Sequence, residues 1–157
     1  GAGKNVITGI AGKPGFSSIT IEKDMMNSEV GFTRKVLSAL ESEGISFEHM
    51  PSGIDTLSII LATPVLEGKK ERILRAICDA VSPDSVFVED SIALIAVVGR
   101  GMRSTKGTAA RTLDAVADAG INLVMIDQGS SELNIILGVK EADLQKTIAA
   151  IYDEFGR

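Results

Sequence analysis

Hydrophobic positions in the first part of the chain alternate between a strand-like and a helix-like spacing. Residues 19–21 place two isoleucines on either side of a polar residue, which predicts a half-buried strand. Phe32, Val36 and Leu40 recur at helical spacing, so a helix is predicted there. Gly44 follows this helix at the position where a left-handed residue commonly ends one.

Two further strands and a second helix follow in the same part of the chain. Residues 47–50 and 57–61 read as strands, and Pro51, Gly53 and Asp55 supply a turn between them. An amphipathic helix is predicted from Ile73, Leu74, Ile77, Ala80 and Val81. Residues 86–88 close the series as a short strand, so the predicted order is βαββαβ.

The second half of the chain repeats the first. A shift of 76 residues needs no gap and carries Gly44 onto Gly120, Gly53 onto Gly129 and residues 59–61 onto 135–137. Glycine and turn positions in common register indicate two copies of one fold. Strands are predicted at 92–98, 121–126 and 133–139, and helices at 106–119 and from Leu144 to Phe155.

The second copy ends before its last strand, and the N-terminus has a spare one at residues 6–11. We expect the spare strand to complete the second sheet. The predicted fold class is therefore α+β, with two intertwined ferredoxin-like units. The predicted domain limits are 17–90 for the first unit, and 91–157 with 5–12 for the second.

Composition narrows the functional classes. The net charge is −5 without a basic cluster, which argues against a nucleic-acid partner. Apolar runs stay far below the roughly 20 residues that span a bilayer, so we expect no membrane association. One cysteine cannot form an internal disulfide, and a cytoplasmic location is therefore expected. The single cysteine, Cys78, lies in an apolar helix pattern and is interpreted as a small core residue.

Motifs for nucleotide binding, metal binding or catalysis are incomplete or absent in the sequence. Residues 99–102 read Gly-Arg-Gly-Met after a strand but lack the third glycine of a dinucleotide loop. The single His49 has no accompanying metal ligands, and no nucleophile elbow is present, so a structural or ligand-contacting role is favoured. No metal, cofactor or catalytic residue is predicted.

Two matched loops remain, residues 26–32 and 102–108, each joining the first strand of a unit to its first helix. A helix N-terminus presents free N–H groups that suit the carboxylate of an amino acid. Capping by Asn27 or Ser28 explains the polar residues of the first loop, but not a glycine in the first turn of both helices, where glycine is a poor helix former.

Acidic side chains distinguish the two units. Glu48 and Asp55 follow the first loop on the facing strand and turn, where they could hold an ammonium group, and the corresponding second strand is apolar. We therefore favour the first unit as a ligand site and the second as a packing or dimer partner. The alternative is that Glu48 and Asp55 are simply solvated charges on the surface.

The chain resembles the C-terminal regulatory region of monofunctional bacterial aspartokinases, which carries two ACT domains. The resemblance runs from Val6 to Phe155, and its most specific segments are ITGIAGKPGFSSITIEKDMMNSEVGF, GISFEHMPSGIDTLSIIL and GRGMRSTKGTAARTLDAVADAGINLVMIDQGSSELNIILGV. It also implies an intertwined topology, which agrees with the strand count. Val30 stands where many ACT domains have proline, and Lys106 takes that place in the second unit.

The resemblance implies feedback inhibition of aspartate phosphorylation by an end-product amino acid, with lysine favoured over threonine. It also implies a homodimer through the ACT units and a catalytic domain or subunit as partner. The implied effector-binding residues are Met26, Ser28, Glu29, Gly31, Phe32, Thr33, Ser46, Phe47, Glu48, Ser52, Gly53 and Ile54. The position of the acidic residues adds Asp55 to this predicted site. The matching loops of the second unit contribute Met102, Ser104, Gly107 and Gln128.

No aspartate or ATP site is recognised in the chain, so it is interpreted either as an excised regulatory region or as a separate regulatory subunit. A ligand-free dimerisation or interaction module is the alternative function. A small ferredoxin-like acyl-phosphate hydrolase is a third, because such an enzyme needs a glycine-rich anion loop with a neighbouring arginine, and Gly99-Arg100-Gly101 is followed by Arg103.

Overall fold

A computed structural model of the chain describes residues 7–99, 107–128 and 134–156. These residues form five strands and four α-helices in an α+β arrangement. The strands are β1 (Ile7–Glu22), β2 (Thr56–Ala62), β3 (Ser85–Gly99), β4 (Met125–Gln128) and β5 (Asn134–Lys140). The helices are α1 (Phe32–Ser42), α2 (Lys70–Val81), α3 (Thr108–Asp118) and α4 (Leu144–Phe155).

The chain divides into two compact units. The first unit is Gly15–Asp90, and the second combines Gly1–Pro14 with Ser91–Arg157. Strands β1 and β3 each contribute residues to both units. The predicted fold class, two intertwined ferredoxin-like units, is therefore confirmed.

In the first unit the strand order is β2-β1-β3. Strands β1 and β2 are antiparallel from Phe16↔Ala62 to Glu22↔Thr56. Helices α1 and α2 pack against this sheet and bury an aliphatic core that includes Ile19, Val36 and Ile77.

In the second unit the order is β1-β3-β5-β4. Strand β3 pairs antiparallel with β5 from Ile92↔Lys140 to Val98↔Asn134. The early part of β1 belongs here, because the Thr8 hydroxyl donates to the Val98 carbonyl at 3.1 Å and Ile7 and Ile10 pack against this core. The N-terminal strand thus completes the second unit, as the strand count predicted.

The repeat is reproduced at the ends of α1 and α3. Gly44 N–H donates to Glu41 O and Ile45 N–H to Leu40 O, and Gly120 and Ile121 donate in the same way to Ala117 and Val116. This is the Schellman arrangement, in which the glycine is left-handed and the next residue packs back on the helix. Gly44 has φ 66° and Gly120 has φ 76°.

Two predictions from the apolar pattern were wrong, and a third, the strand at 121–126, was displaced, since the strand is observed at Met125–Gln128. Residues 47–50 do not form a continuous strand; isolated bridges join His49 to Ile60 and Ser52 to Leu57. Pro51 lies between them and has no N–H to donate to a ladder. Cys78 is exposed rather than buried, because the inward stripe of α2 is Ile73, Ile77 and Val81.

Within the described residues, no helix is both long enough and apolar enough to span a membrane.

Candidate functional site

The loop between β1 and α1 is shaped by two left-handed residues. Met25 (φ 58°) precedes a short 3-10 helix, Met26–Ser28, and Gly31 (φ 75°) is the N-cap of α1. No side chain caps α1, and the Ser28 hydroxyl donates instead to Met25 O at 2.8 Å. The conformation of Gly31 explains the glycine here, since a left-handed φ is costly for residues with a Cβ. Gly107 has the same role at the start of α3, with φ 93°.

A cavity of about 210 Å³ lies at this loop. Pockets for drug-sized ligands have volumes of roughly 300–1,000 Å³. The smaller volume of this cavity suits a smaller ligand, such as a single amino acid. Its lining residues are Met26, Asn27, Glu29, Gly31, Phe32, Thr33 and Arg34. Five of the predicted effector residues are thus brought together, and Asn27 and Arg34 were missed.

Glu29 is the acidic side chain of this cavity, and two lysines hold it. Lys23 Nζ lies 2.5 Å from its Oε1, and Lys35 Nζ lies 3.5 Å from its Oε2. The hydrogen bond from Lys23 is the main reason that the pKa of Glu29 is lowered from its usual value. The ionised form of the carboxylate is thus favoured, and each of its two oxygens lies near a lysine ammonium.

Asp55 anchors the start of the loop. Its carboxylate accepts a hydrogen bond from Met25 N–H at 3.2 Å, and its carbonyl accepts one from Lys23 N–H at 3.0 Å. Because Glu22 pairs with Thr56, this turn lies at the same end of the sheet as the loop. Asp55 is thus bonded to the loop backbone, although it does not line the cavity.

Glu48 lies outside the cavity lining. Its N–H donates to Ile60 O at 2.7 Å, while the side chain is exposed and its carboxylate has no hydrogen bond or ion pair within the described part of the chain. The remaining predicted residues across from the loop are also exposed and outside the lining; they are Ser46, Phe47, Ser52, Gly53 and Ile54.

The matching positions of the second unit are only partly described. Met102 and Ser104 lie outside the described residues. Gln128 is exposed at the end of β4, opposite Ile135 of β5.

Across residues 7–99, 107–128 and 134–156, no group of three or more His, Cys, Asp or Glu side chains could hold a metal ion.

Comparison with known proteins identifies relatives of the chain. Residues 95–155 match the model of an ACT domain family. Over 150 residues the chain is 45% identical to aspartokinase 3 of Bacillus subtilis, covering 95% of this chain and 33% of that protein. It thus spans about a third of the length of this curated relative.

Solved structures that are similar to this chain also belong to aspartate kinases. The allosteric aspartate kinase of Clostridium acetobutylicum superposes with a TM-score of 0.90 at 48% identity, covering 97% of this chain and 35% of that one. The ligand-free regulatory subunit of aspartate kinase from Thermus thermophilus has the same fold, with a TM-score of 0.80 at 22% identity over 96% and 98% of the two chains. Residues 95–155 of this chain are therefore an ACT domain, and the chain is homologous to aspartokinases.

Proposed function

We propose that this chain is the amino-acid-binding regulatory region of an aspartokinase, and that an end-product amino acid bound in the first unit inhibits aspartate phosphorylation. Both units act as ACT domains in this proposal, with limits 17–90 and 91–157 plus 5–12. The observation that carries it is the loop cavity of about 210 Å³ at the start of α1, with charges of both signs.

The charges suit a zwitterion. A free carboxylate is stabilised near a helix N-terminus and near cations, and Arg34 and Lys35 lie in the first turn of α1. An ammonium group needs a carboxylate: Glu29 lines the cavity, Asp55 is bonded to the loop backbone, and the resemblance to aspartokinases adds Glu48. Lysine carries a second ammonium group, and Glu48 and Asp55 are acids outside the Lys23–Glu29 ion pair that are available to it, so we favour lysine over threonine.

The regulated partner in this proposal is the aspartokinase catalytic domain or subunit, in the cytoplasm. A homodimer through the ACT units is part of the same proposal. Three exposed apolar side chains at this end of the first unit support an association surface: Met25 is 67% exposed, Val30 92% and Ile54 75%. The same observation favours the second candidate function, a dimerisation module without a ligand.

Glu48→Ala tests the proposal that Glu48, which lies outside the cavity lining, holds an ammonium group of the effector. We expect the dissociation constant for lysine to rise about tenfold or more, since a hydrogen bond to a charged group contributes about 1.5–3 kcal/mol. Isothermal titration calorimetry of the purified chain measures it.

Glu41→Ala is the matched control, because Glu41 is an exposed glutamate near the far end of α1. Its affinity for lysine should equal that of the unsubstituted chain. An unchanged affinity in Glu48→Ala would rule out a role for Glu48 in binding.

A further inference from the structure

Lys23 is held by an acid, a backbone carbonyl and an aromatic ring. Its ammonium donates to Glu29 Oε1 and to the carbonyl of Val81, both at 2.5 Å. It also lies 6.0 Å from the centroid of the Phe32 ring. Only 24% of the side chain is exposed, against 41% for Lys35.

The Val81 carbonyl gives Lys23 a fixed position. Val81 is the last residue of α2, where carbonyl groups lack helical partners and a positive charge is favourable. The backbone around Lys23 is also held, since Asp24 N–H donates to the Asp84 carboxylate at 2.7 Å and Lys23 N–H to Asp55 O at 3.0 Å. The ammonium is therefore placed against Glu29 by contacts that do not involve the cavity.

We infer that Lys23 is a specificity-determining residue, an internal ammonium group that competes with the side-chain ammonium of a dibasic effector for Glu29. This inference rests on the proposed function. Glu29 is the acid that lines the cavity, and each of its oxygens already faces a lysine. A ligand that brings a further ammonium to Glu29 must displace Lys23, whereas a ligand with an uncharged side chain leaves the pair intact.

The consequence is a selectivity that depends on one charge. With Lys23 in place, the loop disfavours binding of a second ammonium at Glu29. A dibasic ligand gains binding free energy there only if its own ammonium contact with Glu29 is stronger than the Lys23–Glu29 contact that it displaces. Without Lys23, Glu29 is left with Lys35, which is more distant and more exposed, and the carboxylate is open to the ligand.

Lysine and norleucine provide the test, because they differ only in the terminal ammonium group. Calorimetry gives the ratio of their dissociation constants for the intact chain and for Lys23→Met. We expect the ratio to shift about tenfold in favour of lysine in Lys23→Met, the change that one charge-assisted hydrogen bond produces. Lys23→Arg keeps the charge and should keep the original ratio.

Two further variants separate competition from a structural effect. Lys35→Met, the matched control, should change the ratio by much less than Lys23→Met. The double variant Lys23→Met/Glu29→Gln should not show the shift of the ratio in favour of lysine, because it lacks the carboxylate that would bind the ammonium. Lys23→Gln keeps a donor for Val81 O without the charge and replaces Lys23→Met if that variant does not fold.

An unchanged ratio in Lys23→Met and Lys23→Gln, with binding otherwise intact, would overturn the role of Lys23 and leave the proposed function standing. A shift in favour of lysine that persists in Lys23→Met/Glu29→Gln would also overturn the role of Lys23. If neither the intact chain nor any variant binds lysine, norleucine or threonine, the proposed function itself fails. The proposed competition of Lys23 with the ligand for Glu29 then fails as well.

Discussion

Ile77→Ala is expected to lower the free energy of unfolding by about 2–5 kcal/mol. Ile77 has no exposed surface and lies in the middle of the inward stripe of α2, between Ile73 and Val81. The smaller side chain loses the transfer free energy of the buried atoms and leaves a cavity in a core that is close-packed. Urea unfolding followed by circular dichroism measures the change.

Cys78→Ala is the matched control on the next residue of the same helix. Cys78 is exposed, so the substitution should change the free energy of unfolding by no more than about 0.5 kcal/mol. If the two variants were equally destabilised, the orientation of α2 in the first unit would be wrong.

Gly31→Val is expected to have the largest effect on the candidate site. Gly31 has φ 75°, and a left-handed conformation costs other residues about 1–2 kcal/mol, more when the side chain is β-branched. A Cβ at this position would meet only Arg34, at 3.6 Å or more, so backbone strain dominates. Because Gly31 also lines the loop cavity, relaxation of this strain reshapes the binding loop. We expect lysine affinity to fall about tenfold or more.

Gly44→Val separates the loss of stability from the loss of binding. Gly44 has φ 66° at the other end of α1, and a Cβ there would have open space around it. It should lower the free energy of unfolding by a similar amount and leave calorimetric affinity for lysine unchanged. Equal affinities of the two variants would contradict the placement of the ligand at the loop between β1 and α1.

Periodicity and the internal repeat were enough to predict the fold class. The matched Gly44–Ile45 and Gly120–Ile121 pairs become two equivalent helix ends, because a left-handed glycine lets its own N–H and that of the next residue bond to the last carbonyl groups of the helix. The spare N-terminal strand could be assigned because a missing strand in one unit and an extra strand outside it have one economical solution.

Prediction of local elements failed where one residue changed the outcome. Residues 47–50 have the composition of a strand, yet Pro51 interrupts the pairing with β2 and leaves isolated bridges. Cys78 was assigned to the core because it lies in the apolar helix pattern of Ile73, Leu74 and Ile77. A rotation of about 100° per residue places it outside the stripe that Ile73 and Ile77 define.

The loop of the candidate site was predictable, whereas its charge contacts were not. A glycine shared by both loops marked the position, and its left-handed φ is the physical reason for it. Lys23 was missed because it reaches Glu29 and Val81 only through the tertiary fold. Arg34 and Lys35 did carry a signal: cations are unfavourable in the first turn of a helix unless an anion lies near.

The central claim is that the folded chain binds an amino acid, and thermal unfolding tests it most directly. The chain is heated alone and with lysine, threonine or methionine, each at about a hundred times a plausible dissociation constant. A ligand that binds only the native state then adds about 2.7 kcal/mol, which raises Tm by roughly 5–11 °C for a chain of this size. We predict that shift with lysine. The absence of a shift with all three amino acids would contradict the claim.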